Sequence, residues 1–396
     1  MSAAQGDYRA LLTIFSSSHT SFNDVCFATL MSRLGRLRDK DLAAAKRDER
    51  YGALLAMLPA KLGSQQCSSR VMANIAHALS KMNERREGGG AVLDAVEARA
   101  DFIVETGRPQ EIGNVAWAFA SLGKGAPKLF SAIDSRAAWL VDEGDGQAVS
   151  NVAWALAELG VDAPNFWSCL EERGGAFAAA ATPQSVCNTA WALAVSGRAG
   201  ANSGLLRVLW DKAVAAVVPG TLRRIELYQL LQVRLHAESE GVDLLLPGPL
   251  EEEMYGAALT KPKPAWDTEF EFENRVASHL DELGVEYERE FPAFGEQFGG
   301  VFAVDFALRA AADGTRTAIE CDGPCHFLWL ARESGRGRAN GRAAAKRRLL
   351  EQRGWRVVSL SWFERDRIAA EGGALAVKQW IQERVVADSI EEEEQL

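Results

Sequence analysis

The chain has 396 residues, 47% apolar and 25% charged, with a formal net charge of -10. That balance suits a globular chain long enough for two or three cores and argues against a uniformly basic nucleic-acid binder. No run of about 18 apolar residues could span a membrane. The six cysteines (Cys26, Cys67, Cys169, Cys187, Cys321, Cys325) lack disulfide-framework spacing, which suits a reducing compartment.

Residues 1–20, "MSAAQGDYRALLTIFSSSHT", are Ser-rich with one arginine and an Asp7. They read as a candidate targeting or flexible segment without a clear Arg-rich amphipathic pattern. Self-comparison then finds an array. "ANIAHALSKM", "GNVAWAFASLG", "SNVAWALAELG" and "CNTAWALAVSG" align on Asn74, Asn114, Asn151 and Asn188, at offsets of 40, 37 and 37. His77, Trp117, Trp154 and Trp191 follow each Asn by three residues, on the same helix face. Gly123, Gly160 and Gly197 stand where a helix ends in a left-handed residue. Each unit has room for a second helix, and weaker copies flank the array: "NDVCFATLMSRLG" from Asn23, and "RIELYQLLQVRL", in which Gln229 takes the Trp place. The expectation is an α-solenoid of paired helices over 21–250, five or six units long. The Trp column is expected in the core. The Asn column is expected to bond between helices, or alternatively to face a groove and read a ligand.

Pro247, Pro249, Pro262 and Pro264 mark a break, so 251–265 is expected to be a linker. From 266 the pattern changes to a helix (Glu269 to Leu283), the strands "EYEREF", "VFAVDFAL" and "TRTAIECD", a helix near Arg342 to Arg353 and the strand "WRVVSLSW". A hairpin through Ala311–Gly314 joins the second and third strands. That order describes a small α/β domain over 266–370, followed by a helix and an acidic tail over 371–396.

Charge is uneven along this part. Residues 251–300 hold thirteen acidic and four basic side chains, whereas nine basic residues lie between Arg332 and Arg356 against Glu333 and Glu351. Asp305 on one strand and Glu320 and Asp322 on the next are placed to converge at a sheet edge, because alternate strand residues share a face. Such a carboxylate set suits magnesium, with Glu273 as an outer acidic group and Lys346 reaching in from the basic helix. The alternative is a solvated strand edge. Cys321, Cys325 and His326 lack a fourth partner spaced for zinc.

"FENRVASHL", "VDFAL", "IECDGPCHF" and "KRRLLEQRGWRVVSLSWFE" resemble the RAP domain over roughly 266–366. This is an RNA-binding module of organellar RNA-metabolism proteins. The Asn-x-Ala-Trp-Ala units are similar to the helical repeats that accompany RAP domains in FAST kinase-like proteins, and to octotricopeptide repeats. RAP domains are in turn similar to the PD-(D/E)XK (restriction-endonuclease-like) nuclease core. The resemblance implies Asp305 as its motif Asp and Glu320 as the next acid. Asp322 stands where that pattern has lysine, so Lys346 would have to substitute.

The function the resemblance implies is binding of single-stranded mRNA or rRNA in a mitochondrion or chloroplast, through His326, Arg336, Arg338, Arg342, Lys346 and Arg347. Two alternatives stand beside it. In one, Asp305, Glu320, Asp322 and Lys346 form a magnesium-dependent endoribonuclease. In the other, the acidic solenoid is a scaffold for proteins such as those of the ribosome. No membrane role is expected.

Overall fold

The computed structural model describes residues 7–216, 222–246, 248–259, 267–295, 298, 302–310, 314–329 and 337–390. Trp266, the hairpin residues 311–313, Arg332, Arg336 and the tail 391–396 lie outside the described residues. Two compact units divide the chain, residues 1–192 and 193–396.

In the first unit the repeats fold as expected in their first helices: Ser69–Lys81, Pro109–Leu122 and Gly146–Leu159 pack in succession. Pro183–Val195 begins the next repeat. Gly123, Gly160 and Gly197 have φ of 70°, 59° and 70°, the left-handed ends that their places in the repeat call for. Close approach also needs glycine. A Cβ on Gly113 would lie 2.8 Å from the Ala148 carbonyl oxygen of the following repeat.

The partner of each first helix is not one helix but two short ones: Glu87–Glu97 with Ala100–Thr106, Pro127–Ser135 with Ala137–Glu143, and Pro164–Glu172 with Gly174–Ala180. This corrects the paired-helix expectation. An arginine stands at each break (Arg99, Arg136, Arg173), outside helical dihedrals. It reaches back towards the preceding segment, Arg99 to the Leu62 and Ser64 carbonyls at 3.2 and 2.7 Å, Arg136 to Val104 and Glu105, and Arg173 to the Asp142 carboxylate.

The Trp column is also corrected. Trp191 is buried, but Trp117 and Trp154 are half-buried, and Asn74 is exposed. His77 and Trp117 have ring centroids 5.3 Å apart, and Trp154 stacks on Trp191 at 6.2 Å. Among the described residues no side-chain hydrogen bond joins Asn74, Asn114 or Asn151 to another helix. The core is supplied instead by the intervening positions, such as Val115, Ala118, Phe119, Val152 and Leu156.

The second unit holds the helices Ser203–Ala216, Arg224–Ser239 and Gly248–Leu259 together with the C-terminal sheet. Residues 251–259, expected in a linker, are therefore helical, because a proline in a first turn starts a helix as readily as it breaks one. The sheet has the order β1 (Tyr287–Pro292), β2 (Ala303–Leu308), β3 (Arg316–Asp322), β4 (Trp355–Ser361). The first three strands are antiparallel neighbours, and β4 runs parallel to β3 across the helix Gly341–Gln352. All four strands coincide with the expected ones to within about two residues.

One sheet face carries Phe306, Ile319, Cys321, Val358 and Leu360. It is covered by Phe272, Val276 and Leu280 of the Asp267–Glu282 helix and by Trp380, Ile381 and Val385 of the last helical segment, Trp362–Ile390, which is broken at Gly373. The opposite face carries Asp305, Glu320, Asp322, Ser359 and Ser361, which alternate with those core residues.

Candidate functional site

Strand register brings Glu320 beside Ser359 and Asp322 beside Ser361. Helix Gly341–Gln352 lies over this polar face, started by Asn340, whose side chain accepts from the Ala343 N–H at 3.0 Å. The same Asn340 donates to the Cys325 carbonyl at 2.8 Å, so one cap fixes both the basic helix and the turn after β3.

Lys346, one turn into that helix, donates to Glu320 Oε2 at 2.6 Å and to the Ala303 carbonyl at 2.8 Å. It reaches the acidic edge as expected. Burial pushes Glu320 up to about 7, against the pull of Lys346, with Asp305 and Asp322 adding to the rise. Burial also disfavours the Lys346 charge, but Glu320 and Asp305 outweigh it and hold the ammonium above its ordinary range. Glu320 Oε1 is buried without a hydrogen-bond partner among the described residues.

Asp322 faces His326 Nδ1 at 2.8 Å and accepts from the Ser359 hydroxyl. Burial opposes its ionisation, yet these two bonds hold its carboxyl below the usual carboxylate range. His326 is displaced the other way. Burial disfavours the imidazolium, and the Asp322 bond, with Cys325, raises it well above its ordinary value. Both displacements favour the charged form of each partner, imidazolium and carboxylate.

Asp305 is held differently. Its Oδ2 accepts from the Cys321 N–H at 2.7 Å, and burial raises its carboxyl. Glu290 enters this neighbourhood through the strand register: Arg289 lies opposite Phe306 and Phe291 opposite Val304, which sets Glu290 opposite Asp305, and Glu290 has φ of 50°. Glu273, Glu290 and Asp305 place carboxylate oxygens within 4.8 Å of one another. Glu273 also lies 3.8 Å from the Arg289 guanidinium.

The acids expected to share magnesium differ in the groups that partner them. Glu320 and Asp322 have their charges offset by Lys346 and His326, and Asp305 sits with Glu273 and Glu290. Oxygen donors suited to magnesium are present in each case.

A cavity of about 320 Å³ opens on this face. Its lining includes Lys346, His326, Arg342, Arg347, Asn340 and Tyr228. Arg342 and Arg347 are exposed, and Arg338 is exposed nearby in sequence without lining the cavity. Sequence reasoning passed over Asn340, although an Asn just before a helical run is a capping signal. It also passed over Ser359 and Ser361, whose alternation with Leu360 marks the polar face of a strand.

Residues 319–368 match the RAP domain. No curated protein matches the chain.

Proposed function

From the premise that this chain is a helical-repeat protein with a C-terminal RAP domain, we propose that it binds RNA, seating a backbone phosphate in the cavity beneath Arg342, Lys346 and Arg347. One observation carries the assignment. The carboxylates of the cavity are already offset internally, Glu320 by Lys346 at 2.6 Å and Asp322 by His326 at 2.8 Å, so the exposed arginines at its mouth give it a net attraction for an anion. Phosphate contacts of this kind supply affinity and little sequence choice.

The repeat array offers a second surface, considered by itself. Half-buried Trp117 and Trp154, each beside an Asn, form a face on which bases can stack while the amides read their edges. The RNA is single-stranded on this view, and the work is organellar RNA metabolism, by resemblance to other RAP proteins.

The test is fluorescence anisotropy with single-stranded RNA over a salt series. Arg342→Ala with Arg347→Ala should weaken binding about tenfold or more and flatten the salt dependence by about 0.7 for each phosphate that is no longer neutralised. Unchanged affinity at low salt would exclude the cavity.

A second function is favoured by a specific contact: Lys346 donates to Glu320 at 2.6 Å, close enough to stand in for the lysine that the PD-(D/E)XK pattern has where this chain carries Asp322. A bound magnesium would supply charge neutralisation and an activated water. Asp305 and Glu320 would bind it, and Lys346 would hold the proton-bearing ammonium against the scissile phosphate. Scission that requires magnesium and disappears in Asp305→Ala would establish it.

A further inference from the structure

A second cavity runs along the free edge of β4, lined by Ser359 and Ser361 from the polar face and by Arg356 and Val358 from the other. Its volume is about 610 Å³, and its polar lining includes Arg347, Arg356, Arg384, Glu364, Ser359 and Ser361. It holds three guanidinium groups and one carboxylate. The carboxylate is already engaged, because Arg384 Nη2 donates to Glu364 at 2.9 Å.

Ser361 is the telling residue. It is 7% exposed, and its hydroxyl oxygen is buried without a hydrogen-bond partner among the described residues. An unmet hydroxyl inside a protein costs free energy, so a ligand oxygen that meets it is favoured. The arginines around it are fixed by backbone contacts: Arg356 donates to the Arg384 carbonyl at 2.9 Å, and Arg384 to the Ser359 carbonyl at 3.3 Å. Planar guanidinium groups held in this way are suited to phosphate oxygens.

The two cavities are continuous in their lining. Arg347, Ala339 and Val357 belong to both. A ligand with two anionic groups in series can therefore touch Arg347 from either side.

We propose that the second cavity is a further phosphate subsite, with Ser361 donating to a phosphate oxygen and Arg356 and Arg384 offsetting its charge. Its occupant is the next phosphodiester of an RNA strand whose preceding phosphate lies in the first cavity, a step that rests on RNA occupying that cavity. The subsite reaches no base, so it lengthens the footprint without selecting sequence.

The experiment compares octauridylate, which can span both cavities, with the dinucleotide UpU, which has a single phosphodiester, on the full chain. Ser361→Ala and Arg356→Gln are made singly and together, and melting curves confirm that each variant folds. Wild type should hold the octamer more tightly than UpU. The double variant should lose about tenfold in octamer affinity and about 0.7 in the slope of log K against log salt, with UpU binding unchanged.

Arg342→Ala with Arg347→Ala should weaken both RNAs. Inorganic phosphate is added as a competitor to separate a strand from a free ion. If Ser361→Ala alters competition by phosphate but leaves octamer affinity intact, the cavity takes a free anion and the strand assignment is overturned. Equal octamer affinity and salt slope in a folded double variant overturn the subsite alone. No octamer binding by wild type overturns the RNA assignment and this subsite together.

Discussion

Lys346 and Arg342 stand one turn apart on the same helix and should respond differently to replacement. Lys346 is largely buried against Glu320, so Lys346→Met leaves a carboxylate without its partner and should cost about 3 kcal/mol of stability, read by chemical denaturation. Arg342 is exposed, and Arg342→Ala should stay within about 0.5 kcal/mol of wild type. A loss of RNA binding in Lys346→Met therefore mixes folding with recognition, whereas a loss in Arg342→Ala reports recognition. A second buried charge lies in the array. Glu84 is fully buried and accepts from Tyr51 at 3.0 Å and from Arg86 at 2.7 and 2.8 Å. Burial opposes its ionisation, but Arg86 and Lys46 overcome it and hold the carboxyl below its ordinary value of 4.5. A carboxyl lowered in the folded state binds fewer protons there than in the unfolded chain. Its contribution is thus complete above about pH 4.5 and fades as the pH falls through the folded value. Glu84→Gln should lower stability at pH 7 and flatten the fall in stability below pH 4.5, measured by urea unfolding across pH 3 to 7.

Among the elements, the repeated first helix separates two kinds of tryptophan. Trp117 and Trp154 are half-buried, and Trp191 is 3% exposed. Trp191→Ala should therefore cost about 3–5 kcal/mol of stability. Trp154→Ala should cost less and lose about 1–3 kcal/mol of RNA affinity, the amount carried by one stacked base. Thermal melting paired with anisotropy distinguishes them, and equal melting losses would return the whole column to the core. The sequence made these helices legible because Asn, Trp and the terminal Gly recur at one spacing. It left the Trp burial illegible, since a ring at helical spacing is the same letter whether it faces a neighbour or solvent. The strands were legible from their alternation, and Lys346 from its place on the basic helix. The left-handed backbone at Glu290 was not. Nothing in "EYEREF" marks which residue takes a positive φ, and the meeting of Glu290 with Asp305 and Glu273 emerges only when β1 is laid against β2.

At the scale of the molecule, the last array helices belong to the compact unit that contains the sheet. Arg353 reaches Glu238 at 3.2 Å, and the rings of His236 and Phe302 meet edge to face. A fragment starting at residue 266 would be without those partners and should melt earlier than one starting at residue 182, followed by circular dichroism. Equal melting would show that the sheet stands without them. The first unit invites a different thought, about inheritance. Arg99, Arg136 and Arg173 recur at the repeat period, and the groups they grasp lie in the preceding segment: Val104 and Glu105 for Arg136, Asp142 for Arg173. A 37-residue segment therefore carries both halves of a joint, the hand at its own break and the grip for its successor. Copying such a segment in tandem lengthens the array with joints it already has, while gaining or losing a single residue between hand and grip would misalign them. An array built this way can grow by whole units, and its length is free to drift while its period is not.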